Sequence, residues 1–147
     1  MMRILDVKDP VTLSRIVEIQ QRAYRIEAEI IGCDQLPPLN DTEDSLKCSP
    51  ETFIGYYERD VLVGVLSYEQ KGQLVEICRL AIHPAYFRRG IASRLLSHVL
   101  ELDDATIWEV QTGQANRPAI SCYLKHGFTV VESFTSPEGI QLVKLRK

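Results

Sequence analysis

The sequence predicts an α/β domain with one mixed, mostly antiparallel sheet of about seven strands and helices on both faces. Three observations support this fold class. Between residues 52 and 82, hydrophobic residues alternate in segments joined by very short links, as in consecutive antiparallel strands. Helical periodicity precedes this region, up to about Ile30, and returns after it, from Ile91. A helical segment also separates residues 73–82 from the next strand-like segment, so these two strands should be parallel.

Each element is predicted from its hydrophobic period and from the residues that end it. Strands are predicted at 3–7, 52–58, 61–70, 73–82, 106–111, 128–134 and 140–145. Helices are predicted from Asp9-Pro10 to about Ile30, near 42–47, from Ile91 to Asp103-Asp104, and from the cap Asn116 to Gly127. Tight turns are predicted at Arg59-Asp60 and Lys71-Gly72. Residues 32–50, with three prolines and several acids, are otherwise irregular.

Composition restricts the class of protein. The 147 residues are 45% hydrophobic and 25% charged, which suits a single domain over residues 1–147. A formal net charge of −3 argues against nucleic-acid binding, which usually needs a basic surface. The N-terminus lacks a signal-peptide core, and no apolar segment approaches the roughly 20 residues of a membrane span. We therefore expect a cytoplasmic protein that binds neither membranes nor nucleic acid.

The cysteines and histidines show no metal-binding or disulfide pattern. No two cysteines have CxxC spacing, and the three histidines are scattered, so we expect no metal. Acylation of a thiol at Cys78 or Cys122 would be a rival mechanism, but neither has a histidine and an acid at recognisable spacing. We expect both to be small buried hydrophobic residues.

The segment from His83 to Ala92, HPAYFRRGIA, joins a predicted strand to an amphipathic helix. Unpaired amides and the positive end of the helix dipole attract phosphate at such a helix start. Gly90 lets the backbone approach a ligand closely, and Arg88 and Arg89 add positive charge. The alternative is a solvated basic turn before a core helix. The segment is neither a P-loop nor a GxGxxG motif, which excludes those nucleotide sites.

Two motifs resemble those of the GNAT family of N-acetyltransferases. RLAIHPAYFRRGIASRLL is similar to the family's motif A, in which a strand and turn lead through Q/R-x-x-G-x-G/A into a helix; Phe87 occupies the first position here. NRPAISCYLKHGF is similar to the family's N-x-x-A-x-x-x-Y-x-x-x-GF. With the order of elements, the resemblance extends from Arg3 to Lys144. It implies the acyl-CoA N-acyltransferase fold.

The resemblance also implies acetyl-CoA as the co-substrate, with its pyrophosphate on the loop amides. The implied cofactor-binding residues are Leu80, Ala81, Ile82, Phe87, Arg88, Arg89, Gly90, Ile91, Ala92 and Asn116. Among them, the amide of Leu80 or Ile82 would polarise the acyl carbonyl. Asn116 would contact the pantetheine arm while also capping a helix.

Two residues are candidates for the chemistry. By similarity to the family, the hydroxyl of Tyr123 would protonate the leaving thiolate; the alternative is a core aromatic residue. Strict alternation would place Glu76 on one face with Cys78, Leu80 and Ile82, where apolar neighbours would raise its pKa and suit a general base. The family resemblance assigns the same role to Glu76. The alternative is a glutamate at the sheet margin paired with Arg79 or a lysine.

The acceptor and the partners are less well defined. Residues 27–51 hold seven acids against Lys47, which would favour a cationic amine or would only keep a loop soluble. These acids are Glu27, Glu29, Asp34, Asp41, Glu43, Asp44 and Glu51. The sequence thus predicts acetyl transfer by direct attack from a primary amine of a small molecule or peptide. The alternative is a non-catalytic acyl-CoA sensor, which would not need Glu76 and Tyr123. Relatives often form dimers, so the resemblance also allows a homodimer.

Overall fold

The computed structural model describes residues 1–32, 36–102 and 107–147, which form a seven-stranded mixed sheet with helices on both faces. This confirms the predicted fold class. The strands are β1 (Met2–Ile4), β2 (Thr52–Glu58), β3 (Val61–Lys71), β4 (Leu74–Ile82), β5 (Ile107–Gly113), β6 (Thr129–Thr135) and β7 (Gln141–Arg146). The helices are α1 (Pro10–Ile31), α2 (Glu43–Lys47), α3 (Ile91–Leu102) and α4 (Arg117–Lys125), with short 3₁₀ turns at Pro37–Asn40 and Pro84–Tyr86. In the part of the chain that is described, no helix combines the length and apolarity that a membrane crossing requires.

The predicted elements agree with the structure to within a few residues. Arg59 and Asp60 both have positive φ, the conformation of a two-residue turn whose twist matches the β2–β3 hairpin. Asp9 caps α1 by accepting a hydrogen bond from the backbone N–H of Thr12, and Gly32 ends the helix in the left-handed conformation. The 3₁₀ turn at Pro37–Asn40 was not predicted. The predicted helix end at Asp103-Asp104 and strand start at Thr106 lie outside the described residues.

The order of strands in the sheet is β1-β2-β3-β4-β5-β7-β6. All neighbours are antiparallel except β4 and β5, whose parallel pairing runs from Leu74–Ile107 to Ile77–Val110. Beyond Ile77 and Val110, β4 stays paired with β3 to Ile82, and β5 stays paired with β7 to Gly113. The two strands therefore separate at their carboxyl ends and leave an opening inside the sheet.

A β-bulge in β4 overturns one prediction about side-chain direction. Ser67 pairs with Arg79, but its neighbour Tyr68 pairs with Ile77, so Cys78 is an extra residue in the ladder. Strict alternation is lost at this point. Ile77, before the bulge, and Ile82, after it, both pack in the core beneath α3 and α4. They are five residues apart, so strict alternation would have placed them on opposite faces, and Glu76 next to Ile77 faces away from this core. The expectation that Glu76 shares a face with Leu80 and Ile82 is therefore wrong.

Two apolar layers hold the helices to the sheet. The layer between the sheet and α1 and α2 contains residues of all three elements; its members include Leu13, Ile16, Ile19, Leu46, Phe53 and Val65. The layer beneath α3 and α4 is larger and includes Leu66, Val75, Leu95, Leu96, Val99 and Tyr123. The end of α1 also packs across the opening, because Gly113 has no side chain that would collide with Ile31. This contact brings α1 to the mouth of the opening.

Leu96→Ala should lower the free energy of unfolding by about 3 kcal/mol, because it leaves a cavity under α3 where Leu96 is fully buried. Urea denaturation measures the change. Leu124→Ala is the matched control, since this leucine is 48% exposed on α4 and its truncation should change stability by less than about 0.5 kcal/mol. Equal losses in the two variants would contradict the assigned core.

Candidate active site

A cleft of about 960 Å³ occupies the opening between β4 and β5. Its walls come from α1, the carboxyl half of β4, the loop before α3, the end of β5 and the start of α4. It contains every predicted site residue except Arg89. These residues are Glu76, Leu80, Ala81, Ile82, Phe87, Arg88, Gly90, Ile91, Ala92, Asn116 and Tyr123. Volumes of this order suit small-molecule and cofactor sites.

The anion-binding end of the cleft is the start of α3. Arg88 and Gly90 both have positive φ, so the chain turns sharply into the helix. Open space surrounds the position where a Cβ of Gly90 would lie, which leaves the first amides of α3 accessible. Arg88 lines the cleft, whereas Arg89 donates a 2.6 Å hydrogen bond to Glu58 and lies over the ring of Tyr86. Arg88 is thus the basic side chain available at this end.

Two buried tyrosines line the cleft, one from each side of the sheet. Tyr24 is on α1 and Tyr123 is on α4, where it packs edge-on against Phe128. The hydroxyl of Tyr24 accepts a hydrogen bond from the backbone N–H of Leu80 at 3.3 Å, one of the two amides predicted to polarise an acyl carbonyl. Burial is the main reason that the pKa of each phenol is raised. Both hydroxyls therefore keep their protons at neutral pH.

Glu76 does not lie among apolar side chains. Its carboxylate is 3.6 Å from Nζ of Lys71, and it stands opposite Glu69 on β3 and Glu109 on β5 in the ladder. About 29% of its side chain is exposed. The expected apolar environment is therefore wrong. Glu76 pairs with a lysine, as in the alternative, but on a central strand and not at the margin of the sheet.

Asn116 has a structural function that the sequence analysis anticipated. Its Oδ1 accepts a hydrogen bond from the N–H of Ala119 and so caps α4. Its Nδ2 donates to Oε1 of Glu27 on α1 at 2.9 Å, which joins the two walls of the cleft. From the sequence alone, Glu27 is only one of the seven acids of residues 27–51. A contact between residues 89 positions apart leaves no local signal in the sequence.

Arg79 is a second residue that the sequence analysis did not place in the site. It points to the α1 side, where its guanidinium donates to Asp41, Glu51 and the side-chain oxygen of Gln20. Burial alone would raise the pKa of Glu51, but hydrogen bonds from Arg79 and Ser67 outweigh it and lower that pKa. Asp41 and Glu51 are therefore paired with Arg79 and are not unpaired acids. Asp34, another of the seven acids predicted to favour a cationic amine, lies outside the described residues.

The two cysteines of the cleft are poor nucleophiles. Burial, together with the negative charges of Glu51, Glu76 and Glu69, raises the pKa of Cys78 to about 12. Burial also raises the pKa of Cys122. Because the thiolate is the reactive form, both thiols are inert near neutral pH.

The fold is that of the acetyltransferase class of α/β proteins. The model of the acetyltransferase (GNAT) family matches residues 13–128. The chain belongs to this family.

Two curated relatives differ in how much of their length the chain covers. The UPF0157 protein YqkA of Bacillus subtilis is 38% identical over 143 residues, which are 97% of this chain and 42% of YqkA. The chain thus spans less than half the length of that relative. The N-alpha-acetyltransferase RimI of Mycobacterium tuberculosis is 26% identical over 126 residues, which are 82% of this chain and 79% of RimI.

Solved structures share the fold at low sequence identity. The PaiA N-acetyltransferase of Thermoplasma acidophilum, in complex with coenzyme A, superposes with a TM-score of 0.76 at 16% identity. The match covers 98% of this chain and 96% of PaiA. The arrangement of sheet and helices around the cleft is therefore a shared fold.

Arg79→Gln should lower the free energy of unfolding at neutral pH by about 3 kcal/mol, because it leaves Asp41 and Glu51 without their cation. Since Glu51 has a lowered pKa in the folded chain, its stabilising effect is present above the ordinary value of 4.5 and is lost as the pH falls through the lowered pKa. The variant should lose this acid dependence. Urea denaturation between about pH 3 and pH 7 measures both effects.

Arg22→Gln is the control for loss of an arginine, because Arg22 is 60% exposed and lies 3.7 Å from Glu18 on the surface of α1. Its stability should change by less than about 0.5 kcal/mol. A similar loss in both variants would show that the Arg79 network does not hold residues 36–51 to the sheet.

Proposed function

We propose that this chain is an N-acetyltransferase that moves an acetyl group from acetyl-CoA to a primary amine of a small molecule or peptide. The main observation behind the proposal is that one cleft is lined by the start of α3, by Tyr123, and by the part of β4 beyond Ile77 that is not paired with β5. Membership of the acetyltransferase family supports it. So does the name of the M. tuberculosis relative, an N-alpha-acetyltransferase, and the coenzyme A bound to PaiA.

The cleft suits an extended thioester that ends in a diphosphate. Amides at the start of α3, with Arg88, would hold the diphosphate, since a helix start favours anions. Beyond Ile77 the edge of β4 that faces β5 is no longer paired with it, so backbone groups from 80 to 82 can bind the amides of the pantetheine arm. When bound, acetyl-CoA supplies an activated acyl group. These residues would orient it within the opening.

Tyr123 and Leu80 have complementary positions for the transfer. Because burial keeps the Tyr123 hydroxyl protonated, it can give a proton to the leaving sulfur. The amide of Leu80 already donates to a hydroxyl, that of Tyr24, and would donate in the same way to the acyl oxygen. The family resemblance assigns the base to Glu76, which here lies beside Lys71.

The charges of the cleft favour a cationic acceptor. Among the described residues, six acids and two arginines line it: Glu27, Asp41, Glu51, Glu69, Glu76 and Glu138, with Arg79 and Arg88. Arg79 neutralises only part of this charge through Asp41 and Glu51. The raised pKa of Cys78, which burial and then neighbouring glutamates cause, reports the same negative surroundings. A polyamine, an aminoglycoside or an amine of a peptide fits this chemistry.

Gly90→Glu should weaken acetyl-CoA binding at least tenfold, because it puts a carboxylate at the anion-binding helix start. Gly72→Glu is the matched control: Gly72 also has positive φ and open space around it, but it lies in the β3–β4 turn away from the cleft. Isothermal titration calorimetry measures both dissociation constants. If wild-type protein gives no heat with acetyl-CoA, or if both variants bind as it does, the diphosphate site is wrong.

Tyr123→Phe should lower kcat for acetyl transfer by about 100-fold and leave the acetyl-CoA dissociation constant unchanged, because it removes only the proton donor. Release of free thiol over a panel of amines measures the rate. Tyr57→Phe, on β2 outside the cleft, should retain full activity. A wild-type protein that binds acetyl-CoA but releases no thiol with any amine would favour the non-catalytic sensor instead.

A further inference from the structure

The carboxylate of Glu27 lines the cleft but has no role in the acetyl transfer as described so far. Asn116 donates to Oε1, and no other described residue forms a hydrogen bond with the Glu27 side chain, so Oε2 is free. The side chain lines the same cleft as Tyr24 and Tyr123. A partly buried carboxylate with one oxygen fixed and the other free is oriented to receive a donor from the cleft.

Glu27 and Glu76 differ in whether a nearby cation already compensates the negative charge of the carboxylate. Glu76 already has a cation, Lys71, at 3.6 Å, and it lies in a row of glutamates across β3, β4 and β5. Within the described ranges, the only hydrogen-bond partner of the Glu27 carboxylate is the neutral amide of Asn116. An incoming ammonium would therefore gain more from pairing with Glu27, because its charge is not yet compensated.

We propose that Glu27 binds the amine of the acceptor and accepts its proton. This inference rests on the proposed acetyl transfer. The ammonium gives one proton to Glu27, and the neutral nitrogen forms a bond to the acetyl carbon as the carbon–sulfur bond breaks. Tyr123 donates a proton to the leaving sulfur, and the second proton lost by the nitrogen restores the Tyr123 hydroxyl. Glu27 then releases its proton to solvent.

The surroundings of Glu27 suit this function. Burial raises the pKa of Glu27, and the hydrogen bond from Asn116 opposes that effect only in part. Among the described residues, the titratable groups that Glu27 influences are Tyr24 on its own helix and Tyr123 on α4, whose phenols stay neutral near pH 7. Glu138, in the turn between β6 and β7, lines the same cleft. The pKa of Glu27 is therefore raised above its ordinary value by burial, which makes its carboxylate a stronger base.

Glu27→Gln tests the proposal. The substitution removes the negative charge of the carboxylate, but the glutamine oxygen can still accept the hydrogen bond from Asn116. The probes are spermidine, kanamycin, a lysine peptide and a peptide with a free N-terminus. For whichever amine the wild type acetylates, kcat/KM should fall by about 100-fold near pH 7. In a profile from about pH 4 to about pH 9, the variant should also lose the acid limb set by Glu27. Glu27→Asp should keep that limb at a reduced rate.

Glu18→Gln, nine residues earlier on the exposed face of α1 and outside the cleft, should match the wild type in rate and profile. An acid limb that persists in Glu27→Gln but disappears in Glu76→Gln would overturn the inference and make Glu76 the base. Calorimetry of acetyl-CoA binding distinguishes failure of the proposed acetyl transfer from failure of the function assigned to Glu27. A wild type without binding or without turnover on all four probes refutes the proposed function, whereas an active Glu27→Gln with an unchanged profile refutes only the function of Glu27.

Discussion

The separation of β4 from β5 is the constraint on which the rest of the site depends. Parallel pairing ends at Ile77 and Val110, but each strand continues because its other neighbour holds it. The backbone groups that face the gap cannot satisfy one another, and a buried amide or carbonyl without a partner is costly. The gap is therefore stable only where side chains, solvent or a ligand can reach it. In this structure Tyr24 reaches the N–H of Leu80.

The elements around this gap could be predicted because their signals are local. A two-residue link fixes a hairpin, as at Arg59-Asp60, and an acid followed by proline starts a helix, as at Asp9. The start of α3 is equally local, since the turn from β4 and the glycine that permits it lie within ten residues. The neighbours β2, β3 and β4 followed from the short links, and the parallel β4–β5 pair from the crossover helix, whereas the place of β7 between β5 and β6 was not predicted.

The direction of side chains on β4 could not be predicted in the same way. A bulge depends on how two strands pair, and nothing within Leu74–Ile82 shows that Cys78 is the extra residue. The bulge turns Arg79 to the α1 side, where it meets acids 28 and 38 positions away along the chain. The link between Glu27 and Asn116 spans 89 positions. Contacts between residues so far apart in the sequence depend on the complete fold, so local sequence patterns do not predict them.

The cleft has two walls, one built from elements close together in the sequence and one held by contacts between residues far apart in it. The wall that would hold acetyl-CoA comes from β4, α3 and α4, which are nearly contiguous from residue 74 to residue 125. The opposite wall comes from α1 and residues 36–51, and it is held by Arg79 and by the Glu27–Asn116 contact. Substitutions there can alter the charge and shape offered to an acceptor while the sheet and the helix start stay intact. Under the proposed function, acceptor choice would depend on long-range contacts, whereas the thioester site would come from one continuous segment.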